Sequence, residues 1–226
     1  EIGSGLVGSE MCIRDRELIM KIGLIMQDFK FNINLNDFDF LIGVDRGALI
    51  AYQNNIYVNL AIGDFDSVTK DELILIQEKS KVIKLNPIKD LTDTAEALKY
   101  AFKLSNDVTM LGGIEGKRIE HFIANLCLFK EYPLLKIENE NSLIFCIKKP
   151  IRLPIKYKFA SFFALNTVKS LCLKGFKYEL ANYDLELYDS LCISNEIICC
   201  DNLVSFKEGL LSLIHISEPT RPEPIS

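Results

Sequence analysis

Two carboxylates one residue apart, at the end of an apolar run, form the chemically richest stretch of the chain: Gly63-Asp64-Phe65-Asp66-Ser67. Ahead of it Ile56, Val58, Leu60 and Ile62 alternate with Tyr57, Asn59 and Ala61, a period-two pattern that predicts a strand over 55–62. With the backbone extended through Phe65, Asp64 and Asp66 point to one side, because alternate residues share a face. Two anionic groups aimed at one spot repel each other unless a cation lies between them. A hard, oxygen-seeking ion such as Mg²⁺ meets that need. The same residues also suit a solvated turn, in which Asp and Gly are common.

Comparable clusters follow other apolar runs. Asp45-Arg46-Gly47-Ala48 comes after 38–44, and Lys89-Asp90-Leu91-Thr92-Asp93 after 82–85. Gly112-Gly113-Ile114-Glu115-Gly116-Lys117-Arg118 comes after 108–111. Each has an ordinary structural use: Asp45 and Gly47 could shape a turn, Asp93 could cap a helix, and Lys89 could be a solvated lysine. Scattered turn chemistry would decorate both edges of a sheet, whereas these clusters sit at four successive strand ends. That is where an open parallel sheet binds ligands. The residue types suit phosphoryl or diphosphoryl transfer, in which carboxylates hold Mg²⁺, the ion bridges phosphate oxygens and basic groups offset the remaining charge. Asp45, Asp64, Asp66 and Asp93 supply the anions, and Lys89 and Arg118 the cations. Glycines such as Gly112 and Gly113 allow backbone N–H groups close to phosphate. No P-loop motif is present, so the P-loop class is excluded.

Such clusters need strands to carry them and helices to cover the strands. Apolar runs at 22–26, 38–44, 56–62, 82–85 and 108–111 predict strands in the first half. Between them, Thr69 with Glu72 predicts a capping box, followed by Leu73, Ile76 and Gln77 at helical spacing. Asp93 with Glu96 predicts a cap for a helix holding Ala97, Leu98 and Ala101, and Ile119, Phe122, Ile123, Leu126 and Phe129 form a helical apolar stripe. From about 135 the pattern changes to short alternating runs at 143–147, 159–165, 168–173, 185–188 and 203–206, with turn residues between them. The expected fold is α/β: an open parallel sheet with flanking helices over 20–133, then an antiparallel β-sandwich over 134–211.

The 226 residues are 49% hydrophobic and 25% charged, ordinary for a globular chain with a real core. A net charge of −5 argues against a nucleic-acid partner, and no uninterrupted apolar run reaches membrane-spanning length. Seven cysteines, an odd number without a CxxC pair, fit a reducing cytoplasm better than a disulfide or zinc framework. Cys199 and Cys200 are expected as a buried pair of small side chains. Residues 1–16 and 212–226 resemble translated sequencing-adapter read-through, as in Met11-Cys12-Ile13-Arg14-Asp15-Arg16 and Ile214-His215-Ile216-Ser217-Glu218-Pro219. Both stretches are therefore expected to stand outside the fold, leaving His121 as its one histidine.

Taken in order, five elements resemble the thiamine pyrophosphokinase family: Asp45-Arg46-Gly47-Ala48, the 63–67 segment, Lys89 to Asp93 with Ala97-Leu98, the Gly112-Gly113 segment running to Arg118 and His121, and Ser194-Asn195-Glu196. The resemblance covers nearly all of 20–211 and implies an ATP- and Mg²⁺-binding first domain, a thiamine-binding sandwich and a homodimer. The implied reaction moves the diphosphate of ATP to the hydroxyl of thiamine, releasing AMP. It also implies that Asp64, Asp66 and Asp93 serve the metal and that Lys89 and Arg118 hold phosphate oxygens. Asp45, Arg46, Gly47, Gly112, Gly113, Glu120 and His121 would border the nucleotide, and Ser194 and Asn195 would meet thiamine. Two positions depart from the family pattern: Arg46 replaces a glycine, and Glu120 an aspartate. The alternatives are diphosphoryl transfer to another heterocyclic alcohol, such as a hydroxymethyl pterin, and a silent thiamine- or nucleotide-binding regulator.

Overall fold

The computed structural model describes residues 19–88, 90–115, 119–155 and 158–216. In the first half, strands and helices alternate as β1 (Lys21–Ile25), β2 (Phe40–Val44), α1 (Arg46–Gln53), β3 (Leu60–Gly63), α2 (Lys70–Lys79), β4 (Lys81–Lys84), α3 (Asp93–Leu104), β5 (Asp107–Leu111), α4 (Ile119–Cys127) and β6 (Lys136–Glu138). All neighbouring pairs among these strands are parallel. The second half consists of β7 (Ser142–Ile147), β8 (Phe159–Ala164), β9 (Val168–Lys174), β10 (Leu180–Leu185), β11 (Asn195–Glu196), β12 (Leu203–Ser205) and β13 (Leu211–Ile216). Its pairings are antiparallel. One ten-stranded sheet, ordered β11-β8-β13-β7-β6-β5-β1-β2-β3-β4, joins both halves, and β10-β9-β12 form a second sheet. Fold class is therefore as expected: α/β with an antiparallel β portion.

Alternation along the central strands assigns each residue a layer. Ile22, Leu24, Ile42, Val44, Leu60 and Ile62 face one core, which they share with Ala97, Leu98 and Ala101 of α3. The other face carries smaller groups, Gly23, Gly43, Ala61 and Gly63, under α1. That lets the helix approach closely: a Cβ on Gly43 would come 2.5 Å from Ala48 Cα, and one on Gly47 would come 2.1 Å from the Ile25 carbonyl oxygen. A third core lies within the β half, among Phe162, Leu171, Leu173, Phe176, Val204 and Leu213.

Several expectations need correction. The strand predicted over 55–62 starts only at Leu60, because Asn55 is left-handed (φ 58°) and the Ile56 N–H still donates to Ala51 O, completing the end of α1. The run at 185–188 is mostly a turn: Tyr188 is left-handed (φ 64°), and the preceding strand, β10, ends at Leu185. Cys199 and Cys200 lie in a turn and are both exposed, since the turn leaves no sheet face to bury them. The stripe on α4 is only half covered: Phe122 and Leu126 pack on the core, whereas Ile119 and Ile123 are exposed.

The largest correction concerns 212–216. This stretch belongs to β13, which pairs with β7 on one side and β8 on the other along its whole length. Leu213 is fully buried, and His215 is buried with its ring 5.6 Å from that of Phe145. Alternation of Leu211, Leu213 and His215 with Ser212 and Ile214 was the available strand signal. Residues 1–16 and 217–226 lie outside the described residues.

Candidate active site

Asp45 follows β2 and Asp64 follows β3, so neighbouring parallel strands deliver both to the same sheet edge. Gly63 permits their close approach, since a Cβ there would stand 2.9 Å from Asp45 Cα. Asp45 has an unusual backbone (φ 48°, ψ −123°) and begins α1 without capping it through its side chain. Its Oδ2 instead accepts the Ser67 hydroxyl at 2.7 Å. A non-glycine residue held in such a conformation stores strain, which points to a local role.

The chain does not stay extended through Phe65. Phe65 is left-handed (φ 59°) with its ring buried in the core beneath α1, and this reversal lets the Asp66 N–H donate to Asp64 Oδ1 at 3.1 Å. The two carboxylates thus converge by a tight turn rather than by strand alternation. Asp45, Asp64 and Asp66 each offer an oxygen, all within 4.8 Å of one another.

Asp93, expected as a helix cap and by the resemblance beside the metal, is the first residue of α3 and is not one of the three aspartates whose oxygens converge; Thr92 caps the helix by accepting the Ala95 N–H at 3.2 Å. That leaves Asp93 Oδ1 to accept the Asp64 N–H at 3.0 Å, bracing the residue from behind. Arg46 donates from Nη1 to the Ser67 carbonyl at 2.7 Å, so Asp45 and Arg46 both tie α1 to the 63–67 turn.

Burial raises the pKa of Asp45 above its ordinary value; the Ser67 hydrogen bond opposes this, and repulsion from Asp93 and Asp64 adds to it. Asp45 Oδ1 is buried and accepts no hydrogen bond among the described residues. A divalent cation fits this arrangement on three counts: an orphaned buried oxygen, all-oxygen donors, and spacing. Octahedral oxygens at about 2.1 Å from Mg²⁺ lie about 3.0 Å apart when adjacent and about 4.2 Å when opposite, so the three side chains would draw together around one ion.

The glycine-rich loop after β5 behaves differently from expectation. Gly112 (φ 90°) and Gly113 (φ 75°) turn the following amides inward, but those amides already have an acceptor. Asp28 takes the N–H groups of Gly113 (2.6 Å), Ile114 (3.2 Å) and Glu115 (2.8 Å). Asp28 has no motif around it and lies 85 residues from Gly113, so nothing in the sequence pointed to it. Asn125, a polar residue in the α4 stripe, was the visible clue on the other side: it is 6% exposed and donates to Gly113 O at 2.9 Å.

Glu120 and His121 are exposed on the first turn of α4, 4.0 Å apart. Lys89 and Arg118 lie outside the described residues. Ser194 and Asn195 are not with the aspartates. They lie at β11, the opposite end of the ten-stranded sheet from β3 and β4. Ser194 is exposed, and its N–H donates to Ser161 Oγ at 2.9 Å. Asn195, 3% exposed, uses its amide to hold the Tyr178 N–H (3.0 Å) and C=O (2.7 Å).

Residues 31–140 match the family model for the thiamin pyrophosphokinase catalytic domain, and 147–211 match that for the thiamin pyrophosphokinase vitamin B1 binding domain. A thiamine pyrophosphokinase of Bacillus subtilis is 31% identical over 186 residues, covering 78% of this chain and 87% of the relative. The crystal structure of a thiamin pyrophosphokinase family protein from Enterococcus faecalis superposes with a TM-score of 0.78 at 27% identity, covering 88% of this chain and all of that one. The Bacillus subtilis enzyme's crystal structure gives 0.77 at 27% identity with the same coverage. Both halves of the chain match in the order the fold presents them, and a relative aligns along most of its length, so the chain belongs to the thiamine pyrophosphokinase family.

Proposed function

We propose that this protein transfers the diphosphate of ATP to the hydroxyl of thiamine, giving thiamine diphosphate and AMP, with Mg²⁺ as the metal. The observation that carries this is the convergence of Asp45, Asp64 and Asp66 around an unsatisfied buried oxygen, in a chain of this family. The match of 147–211 to a vitamin B1 binding model favours thiamine over a pterin alcohol.

Each residue then has a physical task. Asp45, Asp64 and Asp66 would hold the cation, which would neutralise charge on the transferred phosphates. Asp93 fixes Asp64 through its N–H, and Ser67 orients Asp45. By the family's pattern, Lys89 and Arg118 take phosphate oxygens. Arg46, Gly47, Gly112, Gly113, Glu120 and His121 border the nucleotide. In this reading 20–133 forms the ATP half and 134–216, including all of β13, the thiamine half, around Ser194 and Asn195.

Distance supports the homodimer that the resemblance implies. Strands lie about 4.8 Å apart, so β11 and β3 are separated by roughly 35–40 Å across the shared sheet, too far for one thiamine to meet both. A second copy can bring its own β11 region to this subunit's aspartates. Exposed apolar side chains close to Ser194 in the chain, Leu191, Ile193 and Ile198, with Tyr178 held by Asn195, fit a surface that another subunit covers. All six described cysteines are free thiols, in keeping with a cytoplasmic setting.

Product analysis tests the reaction. ATP, thiamine and Mg²⁺ should yield thiamine diphosphate and AMP in equal amounts, with no turnover after chelation of the metal. ADP as the stoichiometric coproduct would mean single-phosphoryl transfer and overturn the reading. Binding of ATP or thiamine with no AMP formed would point to the silent regulator.

A further inference from the structure

Chain order reverses between β1 and β5: β2, β3 and β4 extend the sheet to one side of β1, and β5 returns on the other. Loops at such a switch point border the ligand crevice of an open α/β sheet. The two loops here are tied together by one side chain. Asp28 lies just after β1, and its two carboxylate oxygens accept the successive N–H groups of Gly113, Ile114 and Glu115 from the loop after β5. Left-handed glycines aim those amides at a common point, forming an anion-binding concavity that the carboxylate fills. The fit is close: a Cβ on Gly112 would stand 2.7 Å from Asp28 Oδ1.

Both ends of this tie are anchored. Phe29 is buried in the core beneath α1, which sets where Asp28 begins. Buried Asn125 of α4 holds the Gly113 carbonyl from the other side. The Gly112 N–H donates to Glu138 O at 2.8 Å, and Lys30 bridges Glu115 (2.8 Å) and Glu140 (3.0 Å). The loop that leads in sequence into Lys117 and Arg118 is thus held from β1, α4 and β6 at once.

We propose that Asp28 is a positioning residue for the diphosphoryl transfer: its carboxylate sets the course of residues 113–115, beside the switch point of the sheet, before ATP arrives, so that this part of the loop need not reorder when ATP binds. This rests on the reaction assigned above. Preset geometry matters because small misplacements of phosphate-holding groups cost large factors in rate. A carboxylate beside a polyphosphate site would otherwise repel the substrate, but three amide N–H groups spend its charge locally.

The test uses Asp28→Asn, which keeps the shape while replacing an acceptor oxygen by a donor facing the amides. kcat/KM for ATP should fall by roughly tenfold or more, with KM for thiamine within about twofold of the parent value. A lowered melting temperature with kcat and both KM values unchanged would assign Asp28 to stability alone and overturn the proposal. Amide hydrogen exchange on the parent protein gives a check that needs no variant. The 113–115 amides should exchange slowly without ATP and gain little protection on adding it. Protection that appears only with ATP would show that substrate, not Asp28, orders the loop. If the parent protein forms no thiamine diphosphate, the assigned reaction fails, while the exchange result still decides whether the loop is preset.

Discussion

Asp45, Asp64 and Asp66 come together through two backbone conformations that their residue types do not advertise. Asp45 and Phe65 are both left-handed, and only tertiary contacts hold them so: Ser67 and α1 around Asp45, and a buried ring at Phe65. Carboxylates that follow apolar runs are conspicuous in the sequence, and the ends of β2 and β3 are where Asp45, Asp64 and Asp66 converge. The sequence did not show how Asp64 and Asp66 converge, because a left-handed Phe carries no local signal. The same reason hid Asp28, whose partners lie on a loop distant in sequence. At this scale the metal reading makes a direct prediction. Asp64→Asn or Asp66→Asn removes a ligand charge from a half-exposed or exposed position, so the fold should persist while turnover drops at least about a hundredfold. Turnover under saturating Mg²⁺, measured beside a melting curve, checks both halves of that statement. Near-parent activity in both variants would remove these residues from the metal site.

Among the elements, legibility tracked how local the signal was. The Thr69–Glu72 capping box forms as read, with the Thr69 N–H donating to Glu72 Oε2 at 2.7 Å and the Glu72 N–H to Thr69 Oγ1 at 3.3 Å. All five strands expected in the first half are present, because buried parallel strands read as apolar runs. Two-residue β11 and three-residue β6 were missed; strands so short are defined by their neighbours' hydrogen bonds more than by their own composition. β13 has a strand's alternation, but the resemblance of 212–216 to adapter read-through masks it in the sequence. Its central place between β7 and β8 makes a strong demand on stability. Ending the chain at Leu211 would leave facing ladders on β7 and β8 unpaired and open the core around Leu213. The truncated protein should fail to fold or melt far below the parent. Leu213→Ala, a milder change, should cost about 2–5 kcal/mol in denaturant unfolding. A truncated chain with the parent's melting temperature would show that β13 contributes nothing to the fold.

At the scale of the whole molecule, the residues proposed for the metal and those proposed for thiamine stand near the two ends of one sheet. The aspartates cluster after β2 and β3, while Ser194 and Asn195 sit at β11, and the intervening strands are a rigid, hydrogen-bonded spacer. A rigid spacer cannot fold back to unite its own ends, so a site that needs both must be assembled from two copies. In a two-fold dimer each of two sites then takes its aspartates from one subunit and its β11 residues from the other. That arrangement predicts complementation. Asp64→Asn inactivates the metal end, and Ser194→Arg places a cation where the cationic thiazolium of thiamine would approach. Each variant alone should be inactive. Unfolded and refolded together, half of the dimers are mixed, and each mixed dimer has one site with both lesions and one with neither. Activity should therefore return to about a quarter of the parent level. If each site were built within a single subunit, every site would carry one lesion and mixing would restore nothing. Inactivity of the mixed sample, with mixed dimers demonstrated by mass, would return the thiamine site to one chain and require a route from β11 to β3 that the sheet does not offer.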